Sequence, residues 1–200
     1  MKEYIQKIVL FSLPTEKNSN DIHREIFPKQ IENKIFAYMP SDGDNNPEKF
    51  TNTWKNIARE NNAEFLYINN CAKNSKKEIE KLNSANILLI TGGNTFALLD
   101  KLKRTGLDRA IKNFVKKDNF VLSGFSAGAL VLTPNIKVCN LDKYDANKVG
   151  IEDYAAIGIV DFEVFPHYTE EDWRIFTDYS KSTENTVRRM TDDEYIVVNS

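Results

Sequence analysis

Short apolar runs alternate along this chain with longer stretches whose apolar residues recur at helical spacing. The runs expected as strands are Lys7–Leu13, Lys34–Met39, Glu64–Ile68, Asn86–Thr91, Asn119–Ser123, Ile157–Phe165 and Tyr195–Val198. Several are apolar at consecutive positions, as in Ile87-Leu88-Leu89-Ile90, which suits strands covered on both faces and therefore a parallel sheet between helix layers. Between the runs, Phe50, Trp54, Ile57 and Ala58 mark one buried helix face. Phe96, Leu99 and Leu102 mark another, from a Thr95 start to a Gly106 stop, and Leu107, Ile111, Phe114 and Val115 a third. Strands alternating with helices predict an α/β fold, a three-layer, doubly wound, mostly parallel sheet. Such sheets bind ligands beyond the carboxyl ends of their strands, so candidate chemistry is sought there.

No repeat or linker divides the chain, and 200 residues suit a single domain spanning 1–200. Apolar residues at 41% and charged residues at 28% are a globular balance rather than a disordered one. With 27 basic against 29 acidic side chains the net charge is −2, which supplies no overall basic field for nucleic acid. The apolar stretch Ile8–Phe11 is too short for a signal core, and no run reaches bilayer length, so the expectation is a cytoplasmic protein with no membrane partner. Cys71 and Cys139 form no metal or redox spacing and are expected to be buried free thiols. Asp42-Gly43-Asp44-Asn45-Asn46-Pro47 resembles a calcium loop only superficially, because the Glu spacing and helices of an EF-hand are missing. No metal or cofactor is expected.

The segment Val121-Leu122-Ser123-Gly124-Phe125-Ser126-Ala127-Gly128-Ala129 holds G-x-S-x-G at the end of a strand and the start of a helix. A sharp strand-to-helix turn tolerates only small neighbours, here Gly124, Ala127 and Gly128. It presents the Ser126 hydroxyl over the sheet edge with the following amides facing a developing oxyanion. Thr91-Gly92-Gly93-Asn94-Thr95 also closes a strand and opens a helix, and its exposed amides are candidates for the other half of that oxyanion hole. Candidate oxyanion and substrate-binding residues are thus Gly92, Gly93, Asn94 and Ala127.

A hydroxyl nucleophile needs a base, and there are two histidines. His23 lies in a polar N-terminal segment read as having no strand ahead of it, whereas His167 follows the strand ending at Phe165, at an expected carboxyl end. His167 is therefore the base candidate, on the same sheet edge as Ser126. Asp142, Glu170 and Asp192 are each candidates for the orienting acid. Glu170-Glu171-Asp172 also reads as the acidic first turn of a helix.

The set Gly92–Phe96 (GGNTF), Gly124–Ala129 (GFSAGA), Pro134 with Ile136, and Phe165–Tyr168 (FPHY) resembles peptidase E, the aspartyl dipeptidase group whose relatives include cyanophycinase. The resemblance runs from about residue 85 to 170. It implies a class I glutamine amidotransferase-like (flavodoxin-like) fold and a cytoplasmic serine peptidase acting on a small peptide substrate, as a monomer or homodimer. It implies Ser126 as nucleophile, His167 as base, Gly92 and Gly93 near the oxyanion, and places Asp192 slightly ahead of Asp142 and Glu170 as the acid. Two features depart from the family pattern. Asn140 is followed by Leu141 before Asp142, and Glu170-Glu171-Asp172 stands where aspartyl dipeptidases supply Arg. Recognition of an N-terminal Asp would require a cation such as Arg174, Lys181 or Arg188.

Three other readings compete. An amidotransferase-like hydrolase should carry Cys where Ser126 stands, and an α/β-hydrolase esterase should place its His much farther from the Ser. A non-catalytic relative that binds a peptide or small molecule would keep the pocket without turnover.

Overall fold

A computed structural model describes residues 4–199. In chain order its elements are β1 (Gln6–Phe11), α1 (Ser19–Ile26), β2 (Ile35–Met39), α2 (Glu48–Glu60), β3 (Glu64–Tyr67), α3 (Ser75–Ser84), β4 (Ile87–Ile90), α4 (Thr95–Thr105), α5 (Leu107–Phe114), β5 (Phe120–Phe125), α6 (Ala127–Leu130), β6 (Glu163–Phe165), α7 (Trp173–Ser182), β7 (Val187–Arg189) and β8 (Tyr195–Asn199). A six-stranded sheet runs in the order β3-β2-β4-β5-β1-β8. All its pairings are parallel except that of β8, which runs antiparallel to β1.

The consecutive apolar positions are explained by burial on both faces. On one face Leu10, Met39, Leu88, Ile90 and Leu122 pack against α3, α4, α5 and α6. On the other, Val9, Phe11, Phe36, Tyr38, Leu89 and Val121 pack against Ile22 and Ile26 of α1 and Trp54 and Ala58 of α2. The result is the three-layer, doubly wound α/β architecture expected. α4 stops where expected, at Gly106 in the left-handed conformation that glycine adopts without penalty (φ 75°).

Four expectations are corrected. The run Ile157–Phe165 forms a strand only at Glu163–Phe165, because the N–H groups of Ile157, Gly158 and Ile159 are taken by the carbonyls of Val131, Thr133 and Leu132. β6 also lies outside the main sheet, pairing in parallel with β7, which the apolar pattern did not reveal. Phe50 is not core: it is 49% exposed at the start of α2, while Trp54 and Ala58 carry the buried face. Cys71 is exposed, and only Cys139 is buried, where desolvation pushes its pKa up to about 12. Among the described residues no helix is long and apolar enough to cross a membrane.

The small sheet is fastened by a buried carboxylate. Glu163, 1% exposed, accepts hydrogen bonds from Asn135 Nδ2 (2.8 Å), Thr183 Oγ1 (2.7 Å), Asn185 Nδ2 (2.8 Å) and the Tyr179 hydroxyl. Burial alone would raise the Glu163 pKa, but these donors outweigh it and hold the group below its ordinary value of 4.5. Its contribution to stability is therefore complete above that value and is lost as pH falls through the lower folded-state pKa. Thermal unfolding should show Glu163→Gln less stable than wild type at pH 7, with the gap in Tm shrinking toward pH 3; a gap independent of pH would refute the role.

Candidate active site

β5 enters its carboxyl end with Gly124 paired between Leu10 of β1 and Ile90 of β4. The chain then reverses into α6 through Ser126, whose backbone sits at φ 51°, ψ −117°, a conformation L-residues rarely adopt. Glycine is required on both sides. A Cβ on Gly124 would lie 2.4 Å from the Gly128 carbonyl oxygen, and one on Gly128 would lie 2.0 Å from the Ile90 carbonyl oxygen. The turn is thus pressed against β4, and Ser126 is the residue that protrudes from it.

His167 arrives from the small sheet, two residues beyond β6, and Asp192 lies three residues beyond β7. Backbone bonds continue the pairing past both strands: Met190 N–H donates to Phe165 O (3.0 Å) and Tyr168 N–H to Met190 O (2.9 Å). This carries the acid to the histidine. His167 Nε2 stands 2.8 Å from Ser126 Oγ, and His167 Nδ1 stands 2.6 Å from Asp192 Oδ1. The imidazole is about one-third exposed and the carboxylate half exposed. With Nδ1–H donating to the carboxylate, Nε2 is left as the acceptor for the serine hydroxyl.

His167 is itself in the left-handed region, at φ 56°. Its N–H donates to Ser12 Oγ (3.1 Å), and its carbonyl accepts from Lys143 Nζ (3.1 Å). Lys143 also pairs with Asp172 at 2.6 Å, and Ser12 Oγ donates in turn to Met190 O at 3.1 Å. Ser12 and Lys143 therefore brace the histidine, and nothing in the sequence pattern pointed to either.

The other candidates separate clearly. Asp142 lies in the loop beyond a short 3-10 turn, lining a second cavity with Phe96, Cys139 and Tyr144, and has no hydrogen bond to His167. Glu170 is exposed at the start of the 3-10 turn ahead of α7. The acidic cluster acts as a helix start: Asp172 accepts from the Thr169 N–H (2.8 Å) in a capping box. Burial disfavours the Asp172 charge, but Lys143 and Thr169 hold its pKa below the ordinary carboxylate value.

Asn94 caps α4, accepting from the Ala97 N–H (2.9 Å) and donating to Ala146 O (3.0 Å), so its side chain is committed to the helix start rather than to a substrate. Gly93, at φ 149°, has no room for a side chain, since a Cβ would fall 2.0 Å from Ser41 Oγ. Gly92 adjoins Ser126, where a Cβ would lie 3.1 Å from that of the serine. Ala127 begins α6 and is buried. Of the cations considered for an acidic substrate, Arg174 is exposed beside Asp178, and the Arg188 guanidinium stacks on the Phe162 ring at 3.8 Å.

A cavity of about 530 Å³ opens at the carboxyl ends of β1, β2, β4 and β5, on the face covered by α1 and α2. Gly92 and Phe125 form the wall nearest Ser126, and Tyr38, Phe50, Trp54 and Ile57 line the rest together with His23 and Asp42. The reading of His23 as having no strand ahead of it is corrected, since β1 precedes it. The histidine lies on α1, directly after the β1 turn, and packs edge-on against Trp54 with ring centroids 5.6 Å apart. Burial lowers its pKa from the ordinary histidine value, with the nearby Glu60 charge opposing.

The profile of peptidase family S51 matches residues 8–199. An uncharacterized peptidase of Pasteurella multocida is 33% identical over 146 residues, 72% of this chain and 69% of that one. An uncharacterized peptidase of Listeria monocytogenes is 36% identical over 97 residues, 48% of this chain and 47% of its own length. Peptidase E of Streptomyces coelicolor is 32% identical over 94 residues, 47% of this chain and 37% of that protein. The matched stretch thus spans about half or less of the Listeria and Streptomyces relatives. The crystal structure of a protein described as a candidate peptidase E from Listeria monocytogenes EGD-e superposes with a TM-score of 0.78 at 23% identity, covering 98% of this chain and 95% of that one.

Substituting Gly128→Ala should destabilise the fold by about 3 kcal/mol, the upper range for overpacking against atoms that cannot move aside. Urea unfolding measures this, and a wild-type midpoint would show that the elbow has slack.

Proposed function

The chain belongs to peptidase family S51, and from that premise we propose that it is a serine-type peptidase that hydrolyses short peptides through an acyl-enzyme on Ser126. The observation that carries the proposal is the unbroken Ser126–His167–Asp192 hydrogen-bonded chain, at 2.8 and 2.6 Å. Ser126 Oγ attacks the scissile carbonyl carbon as its proton passes to His167 Nε2. The carbonyl π electrons move onto oxygen, which is received by the N–H groups of Ala127 and Gly93. Collapse breaks the C–N bond, and the leaving amine takes the proton from Nε2. Water then repeats the sequence on the ester, with His167 as base again, and releases the acid. Asp192 keeps the imidazole in the productive tautomer and stabilises the imidazolium that forms at each step.

Nothing in this sequence requires a cofactor, and a short peptide is its one necessary partner. The cytoplasm is the compartment that the peptidase E resemblance implies. A preference for N-terminal Asp is left out of the proposal, because none of the described residues lining the cavity beside Ser126 is Lys or Arg. An inert binding relative would have no need of a nucleophile held at hydrogen-bond distance from an oriented base.

Ser126→Ala should retain the wild-type Tm, lose labelling by a fluorophosphonate probe and lose peptide hydrolysis by roughly 10⁴-fold or more. Asp192→Asn should lower kcat by roughly 10²–10⁴-fold, because the imidazole loses its orienting acceptor. Full hydrolysis by the Ser126→Ala protein would end the assignment. Lys143→Met, which releases the His167 carbonyl and strands Asp172, should lower kcat more than it raises KM; an unchanged kcat would show that the brace is dispensable.

A further inference from the structure

We infer that the cavity beside Ser126 receives the apolar, aromatic-sized side chain of a substrate's N-terminal residue, with Asp42 accepting that residue's free α-ammonium group. The inference rests on the peptidase reading above and names its substrate class.

Proximity is the first argument. Gly92 is wall to both compartments: a Cβ placed on it would lie 2.9 Å from the Phe125 ring, inside the cavity lining, and 3.1 Å from the Ser126 Cβ. The residue whose carbonyl is attacked carries its side chain two bonds from the reacting carbon. That side chain therefore starts at the cavity mouth when its carbonyl lies against Ser126.

Chemistry of the walls is the second. The rings of Tyr38, Phe50, Trp54 and Phe125, with the Ile57 side chain, offer faces and edges to another ring or branched aliphatic group. A volume of about 530 Å³ falls within the range of small-molecule sites and holds one large side chain with its flanking backbone. Phe50 is half exposed at this wall, and an occupant would cover it.

Charge is the third. Asp42 is the acidic residue among the described lining residues, and no basic Lys or Arg joins it. Its Oδ2 would lie 3.8 Å from a Cβ built on Gly93, which places it beside the loop proposed to hold the oxyanion. Lys101 Nζ stands 3.9 Å from the other oxygen and is turned to donate to Ser41 O at 2.9 Å. A free α-ammonium on the attacked residue meets a carboxylate at this mouth. An aspartate side chain in the cavity would meet the same carboxylate with no Lys or Arg among the described lining residues; the nearby Lys101 is shared between Asp42 and the Ser41 carbonyl.

Binding can be read without turnover, because Trp54 lines the cavity and Trp173 is the one other tryptophan. In a Ser126→Ala, Trp173→Phe protein, Trp54 emission should respond saturably to Phe-Ala at concentrations at least tenfold below those needed for Asp-Ala. N-acetylation of Phe-Ala, or Asp42→Asn, should weaken that response about tenfold, and Phe50→Ala, on an exposed helix position, should weaken it by a similar factor. An Asp-Ala response equal to or tighter than that of Phe-Ala, or no response to Phe-Ala, overturns the inference. Fluorophosphonate labelling and a dipeptide turnover panel on the protein with Ser126 intact test the peptidase reading separately. Labelling with faster cleavage of Asp-Ala than Phe-Ala sinks the cavity assignment alone. No labelling with the Trp54 preference intact sinks the peptidase step and supports the cavity assignment.

Discussion

The steric contact between the β5–α6 turn and β4 is the constraint from which the rest of the site follows. Gly128 lies so close to the Ile90 carbonyl, and Gly124 to the Gly128 carbonyl, that neither position admits a single additional carbon. The chain can make this approach only by reversing within one residue, and that residue is Ser126 at φ 51°. A non-glycine residue there costs roughly 1–3 kcal/mol, which the buried packing of Ala127, Ala129 and Leu130 offsets. The hydroxyl is consequently fixed in space by the core rather than by its own contacts.

A second strained residue faces the first. His167 also has a positive φ, and its two backbone polar groups are held by Ser12 and Lys143. Both side chains are thus positioned through the backbone, which leaves the imidazole and hydroxyl bonded to each other rather than to their supports. Asp192 completes the arrangement from a surface segment whose neighbour Asp193 is tied to Thr15 and Lys17.

Much of this was legible in the sequence, for identifiable reasons. Strands buried on both faces, such as Ile87–Ile90, have no polar alternative and announce themselves. Ser126 was visible because its turn needs glycines at fixed spacing. His167 was reached by elimination, although the strand leading to it belongs to a separate sheet. Of the three acids considered, Asp192 is the one the structure brings to His167, at 2.6 Å from Nδ1. What was illegible depends on distant pairings. β7 is a three-residue strand containing Arg188 and Arg189, with no apolar alternation to mark it. Phe50 obeys helical spacing yet faces the cavity, because periodicity gives an angle around the helix axis and not what lies opposite. Lys143 and Ser12 brace His167 through its main-chain atoms, an interaction that any chain can make and no motif records.

Ser126 follows a strand of the six-stranded sheet, whereas His167 and Asp192 follow strands of the two-stranded one. Registration between two separately paired sheets, joined through one shared core and through Ser12, therefore sets the distance between these side chains. A small shift of the two-stranded sheet across that shared core would separate Ser126 from His167 while leaving every strand of the larger sheet intact. Any reaction that uses this pair would then report the fit of the two sheets more sensitively than backbone order does.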